Sequence, residues 1–330
     1  MKSPKPIIEV VSTGRYLPER VLTNADLEKM VETTDEWIRE RTGISERRIA
    51  GDDMGAAEMG ANASRIAMER AGVHPGEVDL IVLSTATPDR LLPSTACDMQ
   101  ALLGATNAAA FDVSAACSGF LYALTVAEGY IAAGRGEIAL VVSTEKMSGI
   151  VDWGDRSTCV LFGDGAGAAI VRRAQNGRGV LSSFMRSDGT LAELLWRPAG
   201  GVKVPMDIAV LDEKSHLVKM AGREVFKAAV RSMAEAADQA LLRAGLTGDD
   251  IDLLIPHQAN IRIIEATARY ADVPMEKVFV NVDRYGNMSS ATVPVALDEA
   301  VEQGRIKPGD NVLMVAFGAG FTWGSGVIRW

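Results

Sequence analysis

An internal duplication constrains the fold of this chain more than any other feature of its sequence. Residues 71–82 (AGVHPGEVDLIV) align without a gap with residues 244–255 (AGLTGDDIDLLI), which lie 173 positions further along the chain. Residues 136–142 (GEIALVV) align with residues 309–315 (GDNVLMV) at the same offset. Two ungapped matches at one offset indicate two related halves, so the fold is expected to use one structural unit twice.

Each half repeats the same order of secondary structure. A predicted helix ends at a glycine, Gly72 in the first half and Gly245 in the second, and a short polar turn follows. A continuous apolar run comes next, at residues 80–83 and 253–255, and such runs are typical of strands covered on both faces. Strands that alternate with helices predict an α/β fold, here a layered sandwich with helices between and outside two sheets.

The polar turn at residues 172–179 is the predicted junction of the two halves. We therefore predict an N-terminal domain at residues 1–175 and a C-terminal domain at residues 176–330. Each domain also contains a helix rich in alanine, glycine and serine, at about residues 117–133 and 290–303, and these helices begin at positions related by the same offset.

Composition and charge exclude several classes of protein. The 330 residues carry a formal net charge of −9, which argues against a nucleic-acid-binding protein, because such proteins present a basic face. The longest uncharged stretches, residues 113–127 and 311–328, are too short or too rich in glycine to cross a membrane, and the N-terminus lacks the apolar core of a signal peptide. Three cysteines do not make a disulfide framework, so we expect a reduced, cytoplasmic protein.

Cys117 is the first candidate for chemistry. It lies in the segment FDVSAACSGF, where an apolar run leads into small residues and then into a predicted helix. A thiol at a helix N-terminus meets free backbone N–H groups, so we expect its pKa to lie below the free value of about 8.5. The same pattern suits a buried core cysteine, and the residues alone leave both interpretations open. Cys97, and Cys159 on a predicted strand at residues 158–162, are expected to be structural.

His257 and Asn287 are the other candidates. His257 directly follows a predicted strand, and α/β proteins place ligands at the carboxyl ends of parallel strands, although an ordinary loop histidine fits the pattern too. Asn287 precedes the helix of the second half, where a turn with a helix cap is the ordinary role of asparagine. His74 and His216 are expected at the surface, and the spacing of the three histidines indicates no zinc site.

Residues 163–168 (GDGAGA) match the G-x-G-x-x-A pattern of dinucleotide-binding loops. That pattern must open a helix, whereas residues 169–171 favour a strand, and the lysine of a P-loop is missing from this segment. We therefore predict a tight turn here and no site for a nucleotide phosphate.

Together with their surroundings, Cys117, His257 and Asn287 lie in segments that resemble the β-ketoacyl-[acyl-carrier-protein] synthase III family of the thiolase superfamily. The resemblance covers essentially the whole chain. In chain order it is carried by DEWI and RTGI (residues 35–44), AACSGF (115–120), FGDGAGA (162–168), MAGREVFK (220–227), PHQAN (256–260), GNMSS (286–290) and FGAGFTWG (317–324). The fold it implies is the duplicated, five-layered αβαβα sandwich of that superfamily.

The resemblance also implies roles for individual residues. The catalytic trio would be Cys117, His257 and Asn287, and the oxyanion hole would be formed by the backbone N–H groups of Cys117 and Ala319. Ala319 departs from the glycine that the family usually has in this turn, which leaves its backbone conformation open. Coenzyme A contacts would fall on Thr33, Trp37, Arg156, Gly222, Phe226 and Asn260, and carrier-protein contacts on Lys227, Arg262 and Arg269. Trp37 and Arg156 would sandwich the adenine.

The activity that the resemblance implies is the initiating condensation of type II fatty acid synthesis. Cys117 would take an acyl group from acyl-CoA, and decarboxylation of malonyl-[acyl-carrier-protein] would supply the carbon nucleophile, without a metal or a redox cofactor. The implied assembly is a homodimer, in which Leu92 reaches across the interface to close the acyl pocket of the partner.

Three alternatives remain at this stage. An acyltransferase or a ketosynthase of secondary metabolism would keep the same trio and use another acceptor. A biosynthetic thiolase would need a second catalytic cysteine where residues 317–320 have none. A non-catalytic scaffold would be expected to have lost one member of the trio. The length and branching of the acyl primer are not determined by these residues.

Overall fold

A computed structural model describes residues 5–330 of the chain. Its strands are β1 (Ile8–Tyr16), β2 (Arg20–Thr23), β3 (Glu46–Ile49), β4 (Leu80–Ser84), β5 (Ala109–Val113), β6 (Ile138–Lys146), β7 (Asp164–Arg173), β8 (Gly179–Ser187), β9 (Leu195–Trp196), β10 (Lys219–Met220), β11 (Leu253–Pro256), β12 (Asn311–Gly318) and β13 (Thr322–Arg329). Its helices are α1 (Asn24–Leu27), α2 (Asp35–Thr42), α3 (Ala56–Ala71), α4 (Thr95–Leu103), α5 (Gly119–Ala132), α6 (Ile208–Asp212), α7 (Gly222–Ala244), α8 (Ile261–Tyr270), α9 (Val282–Tyr285) and α10 (Thr292–Glu302). None of these helices is both long enough and apolar enough to span a bilayer.

The fold contains two main sheets, and the strands formed by the repeated sequence segments pair in equivalent register in both. The first sheet has the strand order β1–β7–β6–β4–β5, and the second has β11–β12–β13–β8. In the first, β4 pairs in parallel with β6 and sets Leu80 beside Ala139; in the second, β11 pairs in parallel with β12 and sets Leu253 beside Val312. The strands of the first sheet come from residues 8–173 and those of the second from later residues. The domain boundary itself stays a prediction.

Helices separate and cover the two sheets in five layers. α3 and α4 pack on the outer face of the first sheet, α5 and α10 lie between the sheets, and α7 and α8 cover the outer face of the second. Buried apolar side chains from both sheets and from both central helices form one continuous core. Each sheet is therefore covered on both faces, as its unbroken apolar strands require. The predicted αβαβα sandwich is confirmed.

The two central helices begin in equivalent ways. α5 follows a single 3₁₀ turn at Ala116–Ser118, and α10 follows a 3₁₀ turn at Ser289–Ala291. The predicted helix limits agree with these to within about one turn. The predicted glycine stops are also confirmed, because Gly72 and Gly245 end α3 and α7 in the left-handed conformation, with φ of 64° and 69°.

The prediction of a tight turn at residues 163–168 is wrong. β7 begins at Asp164 and runs through this segment without a turn. The glycines serve close packing, because a Cβ atom on Gly167 would lie 2.8 Å from the Cβ of Pro294 in α10. Alternating glycines occur both in tight turns and in strands that pack closely against a helix. Only the neighbouring helix, α10, shows which of these two structures the segment adopts.

The prediction of a strand around Cys159 is also wrong. The Cys159 N–H donates to the carbonyl of Asp155, and the Leu161 N–H donates to the carbonyl of Thr158, each over 3.0 Å, so the segment is a turn. The Cys159 side chain is fully buried within the apolar core. The residues next to Cys159 in the sequence are apolar because the segment is buried, and not because it forms a β-strand.

Candidate active site

Three side chains from distant parts of the chain line one cavity, whose wall also includes residues of α7 and α8. Cys117 lies in the turn before α5, His257 follows β11, and Asn287 lies in the turn before α10. They line the same cavity of about 120 Å³, with exposed fractions of 7%, 4% and 7%. Cys117 and Asn287 come together because the equivalent turns before α5 and α10, one from each half of the duplication, pack directly against each other.

The Cys117 thiol is protonated at rest. It donates a hydrogen bond to the Ser289 hydroxyl over 3.6 Å. Burial raises the pKa of this thiol to about 12, so the predicted lowering is wrong. Removal from water disfavours the thiolate by more than the helix N-terminus favours it. A nucleophilic role for this thiol would therefore require that its proton is lost in the course of the attack.

His257 is held as a neutral imidazole. Its backbone N–H donates to the carbonyl of Val315 over 2.7 Å, and its Nδ1 lies 2.6 Å from the Thr292 hydroxyl. Burial lowers the pKa of His257 to about 3, because the charged ring would lose its hydration. The Thr292 hydroxyl also lies 3.1 Å from the carbonyl of Ser289. When its single proton points instead to Nδ1 of His257, the ring proton resides on Nε2, which then serves as a hydrogen-bond donor.

The lowered pKa of His257 predicts a pH dependence of folding stability. A histidine in the unfolded chain titrates near 6.5, so as the pH falls the unfolded state binds this proton first. We expect the free energy of unfolding to decrease by about 1.4 kcal/mol per pH unit from this residue between about pH 6 and pH 4. Denaturant titrations of wild type and His257→Gln at pH 7 and pH 4.5 measure it. Equal losses in the two proteins would contradict a buried, neutral His257.

Asn287 presents the donor end of its carboxamide. Its Oδ1 accepts a hydrogen bond from the Ser289 N–H over 2.8 Å, which leaves Nδ2 as the free donor of a side chain that lines the cavity. The backbone of Asn287 is tied to the first half of the chain, since its N–H donates to the carbonyl of Leu161 over 2.8 Å. His257 and Asn287 can thus act as two neutral donors beside the thiol.

The predicted oxyanion-hole segments lie against each other. Gly318 packs so closely on the Cys117 turn that a Cβ atom there would lie 2.5 Å from the Cys117 nitrogen. The Thr322 hydroxyl lies 2.8 Å from the carbonyl of Ala115 and 3.1 Å from that of Ala319, which joins the two loops. Ala319 is not among the residues with positive φ, so alanine fits this turn without strain.

A second, larger cavity meets Cys117 from another side. Its volume is about 400 Å³, and both Cys117 and Ala319 line it. Much of its wall is apolar, from Met147, Ile150, Leu195, Trp196 and Val218. Within the described part of the chain, no three His, Cys, Asp or Glu side chains are grouped so that they could hold a metal ion.

The residues expected to contact coenzyme A divide into two groups. Gly222, Phe226 and Asn260 line the cavity of the trio. Thr33, Trp37 and Arg156 lie outside its wall, and there the Arg156 guanidinium stacks 5.1 Å from the centre of the Trp37 ring. Asn260 connects the groups, because its side chain donates to the carbonyl of Arg41, whose own guanidinium also stacks on Trp37.

The residues expected to contact partners are exposed. Lys227, Arg262 and Arg269 all reach the surface, and the Arg262 guanidinium lies 5.5 Å from the centre of the Phe226 ring. Leu92 is 87% exposed and does not line the cavity of the trio in its own chain.

Three side chains that contact the trio or the turn next to it were not predicted. Ser289 contacts the thiol, Thr292 contacts the imidazole, and Glu145 accepts a hydrogen bond from the Ser290 hydroxyl. The nearness of Ser289 and Thr292 to Asn287 in the chain is a signal that could have found them. Glu145 lies in the other half of the sequence, and nothing in its local pattern indicates this contact.

Two family models and a curated relative match this chain. Residues 111–189 match the family described as 3-Oxoacyl-[acyl-carrier-protein (ACP)] synthase III, and residues 241–330 match its C-terminal part. The chain is 51% identical over 321 residues to the β-ketoacyl-[acyl-carrier-protein] synthase III of Caldanaerobacter subterraneus subsp. tengcongensis. The alignment covers 97% of each of the two chains.

Solved structures show the same similarity. The 3-oxoacyl-[acyl-carrier-protein] synthase III of Aquifex aeolicus VF5 superposes with a TM-score of 0.91 at 48% identity, covering 98% of this chain and 100% of that one. The priming β-ketosynthase of the R1128 polyketide pathway superposes with a TM-score of 0.92 at 38% identity, covering 100% and 98%. With about half of its residues shared over nearly its full length, and with the same fold, this chain belongs to the β-ketoacyl-[acyl-carrier-protein] synthase III family of condensing enzymes.

Proposed function

We propose that this protein catalyses the initiating condensation of type II fatty acid synthesis. An acyl-CoA primer and malonyl-[acyl-carrier-protein] are converted to 3-oxoacyl-[acyl-carrier-protein], CoA and CO₂. The observation that carries the proposal is that Cys117, His257 and Asn287 line one buried cavity. A nucleophile beside two neutral donors is what a decarboxylative condensation through an acyl-cysteine requires.

The first step transfers the acyl group to Cys117. The sulfur attacks the thioester carbonyl of acyl-CoA, and the developing oxyanion accepts hydrogen bonds from the N–H groups of Cys117 and Ala319. The carbon–sulfur bond to CoA breaks, and the proton that the Cys117 thiol loses ends on the departing CoA sulfur. The cost of forming a buried thiolate is avoided when proton loss and attack occur together.

The second step uses the two neutral donors. The Nε2–H of His257 and the Nδ2 of Asn287 donate to the thioester carbonyl of the malonyl group, so that loss of CO₂ leaves a stabilised enolate. The enolate carbon attacks the acyl carbonyl on Cys117, and the oxyanion hole again holds the charge. Collapse of this adduct expels the Cys117 sulfur, which takes up a proton, and releases the 3-oxoacyl product. No metal ion or redox cofactor takes part in either step.

Coenzyme A is proposed to enter along the surface that leads from Trp37 to the cavity. The Arg156 guanidinium now occupies one face of the Trp37 ring, so it must swing aside before an adenine can lie between them. The Thr33 hydroxyl is buried there without a hydrogen-bond partner, which makes it available to a ligand. Gly222, Phe226 and Asn260 would then line the path of the pantetheine arm to Cys117.

The acyl primer is proposed to occupy the 400 Å³ cavity, because much of its wall is apolar and the cavity reaches the thiol of Cys117.

A homodimer would close this acyl cavity. β5 lies at an open edge of the first sheet with Phe111 39% exposed, and Leu91 and Leu92 just before α4 are 81% and 87% exposed. An unpaired edge strand beside exposed leucines favours burial against a second copy, with Leu92 closing the pocket of the partner. We further propose that the enzyme works in the cytoplasm.

Steady-state assays with acetyl-CoA, isobutyryl-CoA and longer acyl-CoA primers, each with malonyl-[acyl-carrier-protein], test the function. We expect 3-oxoacyl-[acyl-carrier-protein], with one CoA and one CO₂ released per turnover and no added cofactor. The second candidate is a priming ketosynthase of secondary metabolism, which the structural similarity to the R1128 enzyme favours. Acyl-enzyme formation without condensation onto this carrier protein would support that candidate and contradict the first.

Reversal of charge at Arg262 is expected to weaken carrier-protein binding. With a net charge of −9 the enzyme repels an acidic partner on average, so docking depends on exposed cations near the cavity mouth. In Arg262→Glu the KM for malonyl-[acyl-carrier-protein] should rise on the order of threefold to tenfold, with a flatter dependence on salt, because rim charges act through screened attraction. The KM for acyl-CoA should change less.

Arg135→Glu is the matched control for this variant. Arg135 is also exposed but lies beyond the end of α5 that is remote from Cys117, so the same change in net charge should leave both KM values near wild type. Equal effects of Arg262→Glu on both substrates, or on neither, would remove this residue from the docking surface.

A further inference from the structure

Arg47 in β3 is a fully buried arginine beside a segment that forms part of the wall of the trio's cavity. Its guanidinium donates to the carbonyl of Val160 over 2.7 Å and to the Oδ1 of Asn24 over 2.8 Å. Val160 directly precedes Leu161 and Phe162, which line the cavity, whereas Arg47 does not line it. Arg47 therefore holds this part of the wall from behind.

The segment that Arg47 holds also carries the backbone of Asn287. The Asn287 N–H donates to the carbonyl of Leu161 over 2.8 Å, and the Gly163 N–H donates to the carbonyl of Asn287 over 3.1 Å. These two bonds form an isolated parallel bridge between Phe162 and Asn287. The position of Asn287 in the cavity therefore depends on where this segment lies.

The stem of the Arg47 side chain packs against the two glycines that flank this bridge. A Cβ atom on Gly163 would lie 3.0 Å from the Cβ of Arg47 and 2.5 Å from the carbonyl oxygen of Tyr285. A Cβ atom on Gly286 would lie 3.3 Å from the Cβ of Arg47 and 2.8 Å from the carbonyl oxygen of Leu161. Any larger residue at either position would push the backbones apart, so Arg47 and the bridge form one closely packed unit.

The guanidinium is a buried cation without a carboxylate partner. It donates only to oxygens of Leu22, Asn24 and Val160, and no salt bridge to Arg47 exists within residues 5–330. Burial lowers its pKa to about 10, so the group stays charged at neutral pH. A buried charge without a counter-ion is costly, and an apolar side chain could fill the same space at lower cost. Such a side chain would lack the directed bond to the Val160 carbonyl.

We propose that Arg47 is a positioning residue for decarboxylation: by holding the Val160 carbonyl, it fixes the bridge that places the Asn287 carboxamide in the cavity. The proposal rests on the role of Asn287 in the proposed function. Arg47 does not line the cavity, so it acts through Asn287 and not on the substrate. A small displacement of a catalytic group is enough to slow a reaction, by as much as about 10²-fold.

The test compares Arg47→Met in the wild-type and Asn287→Ala backgrounds, since methionine removes the donors and keeps a side chain of similar length. In the wild-type background, ¹⁴CO₂ release from labelled malonyl-[acyl-carrier-protein] should fall on the order of tenfold or more, and acyl transfer to Cys117 by less than about threefold. In the Asn287→Ala background, the same change should lower ¹⁴CO₂ release by less than about twofold, because the group that Arg47 positions is already absent.

Hydrogen exchange provides a measurement that uses no substrate. In Arg47→Met, the amides of Gly163 and Asn287 should exchange faster on the order of tenfold, as expected when a local opening loses one buried hydrogen bond. The Ser118 amide, which donates to the carbonyl of Ala115 in the turn before α5, should exchange as in the wild type. This result remains valid if the proposed condensation fails.

Two further variants separate positioning from a general loss of stability. Arg47→Lys keeps the charge but cannot bind Val160 and Asn24 with one planar fork, so it should show smaller losses of the same kind, which covers a failure of Arg47→Met to fold. Leu140→Ala opens a cavity in a core cluster that shares no residue with the wall of the trio's cavity. It should lower stability and leave the ratio of decarboxylation to acyl transfer near wild type.

Three outcomes would overturn the proposal. Unchanged ¹⁴CO₂ release in the folded Arg47 variants would leave Arg47 a purely structural group. Equal losses of acyl transfer and decarboxylation would indicate a general disturbance of the site. A full further loss in the Asn287→Ala background would mean that Arg47 does not act through Asn287. Normal decarboxylation by Asn287→Ala itself would instead contradict the proposed role of Asn287, and the exchange rates would still show whether Arg47 holds the bridge.

Discussion

Replacement of Cys117 by alanine is expected to abolish acyl-enzyme formation and to lower the rate of condensation on the order of 10⁴-fold or more, as loss of a catalytic nucleophile does. The cavity that Cys117 shares with His257 and Asn287 offers no second thiol, because neither Cys97 nor Cys159 lines it. Incubation with radiolabelled acyl-CoA, followed by peptide mapping, measures this directly. In the wild-type enzyme the label should appear on the peptide that contains Cys117 alone.

The two other cysteines provide matched controls. Cys159 is fully buried, and burial raises its pKa to about 11, whereas the Cys97 thiol accepts a hydrogen bond from the Ser94 hydroxyl over 3.2 Å. Cys97→Ala and Cys159→Ala should both retain acylation and condensation. Label on Cys97 or Cys159, or normal acylation of Cys117→Ala, would exclude Cys117 as the nucleophile.

Loss of either neutral donor is expected to suppress decarboxylation far more than acyl transfer. The enolate oxygen forms only from the malonyl thioester, so the donors at His257 Nε2 and Asn287 Nδ2 matter most in that step. His257→Ala and Asn287→Ala should each lower malonyl decarboxylation by about 10²–10³-fold, or about 2.7–4 kcal/mol, the effect of removing one preorganised donor. Release of ¹⁴CO₂ from labelled malonyl-[acyl-carrier-protein] and transfer of acyl label to Cys117 measure the two steps separately.

The ratio of the two losses identifies the role of His257. Acylation that falls as far as decarboxylation would make His257 mainly the base for the Cys117 thiol. A neutral imidazole could accept that proton, so the outcome is a real alternative. Asn287→Ala serves as the comparison within the site, because a carboxamide cannot act as a base.

Most of the architecture could be predicted from the sequence. The aligned runs 80–83 and 253–255 are parallel strands in equivalent register, and Gly72 and Gly245 end their helices as expected. These features are local, because consecutive residues in the sequence indicate both a buried strand and the residue at which a helix ends. The glycines of residues 163–168 were misassigned because the helix that packs on them, α10, is more than a hundred residues away in sequence.

The electrostatics of the site could not be predicted in the same way. The position of Cys117 before a helix indicated a lowered pKa, but burial raises it to about 12, and burial depends on everything packed around the thiol. Glu145 likewise contacts Ser290 only because two sheets are stacked with α5 and α10 between them. A pKa is set by distance and solvation in three dimensions, which no local pattern encodes.

The sequence by itself determined the duplication, the alternation of strands and helices, and the chemical identity of the three candidates, because each is a property of residue type and spacing. The tertiary structure alone decided that Cys117, His257 and Asn287 line one cavity, and that the thiol is protonated and the imidazole neutral there. Those facts depend on the packing of two halves of the chain, whose contacting residues are separated by half its length or more.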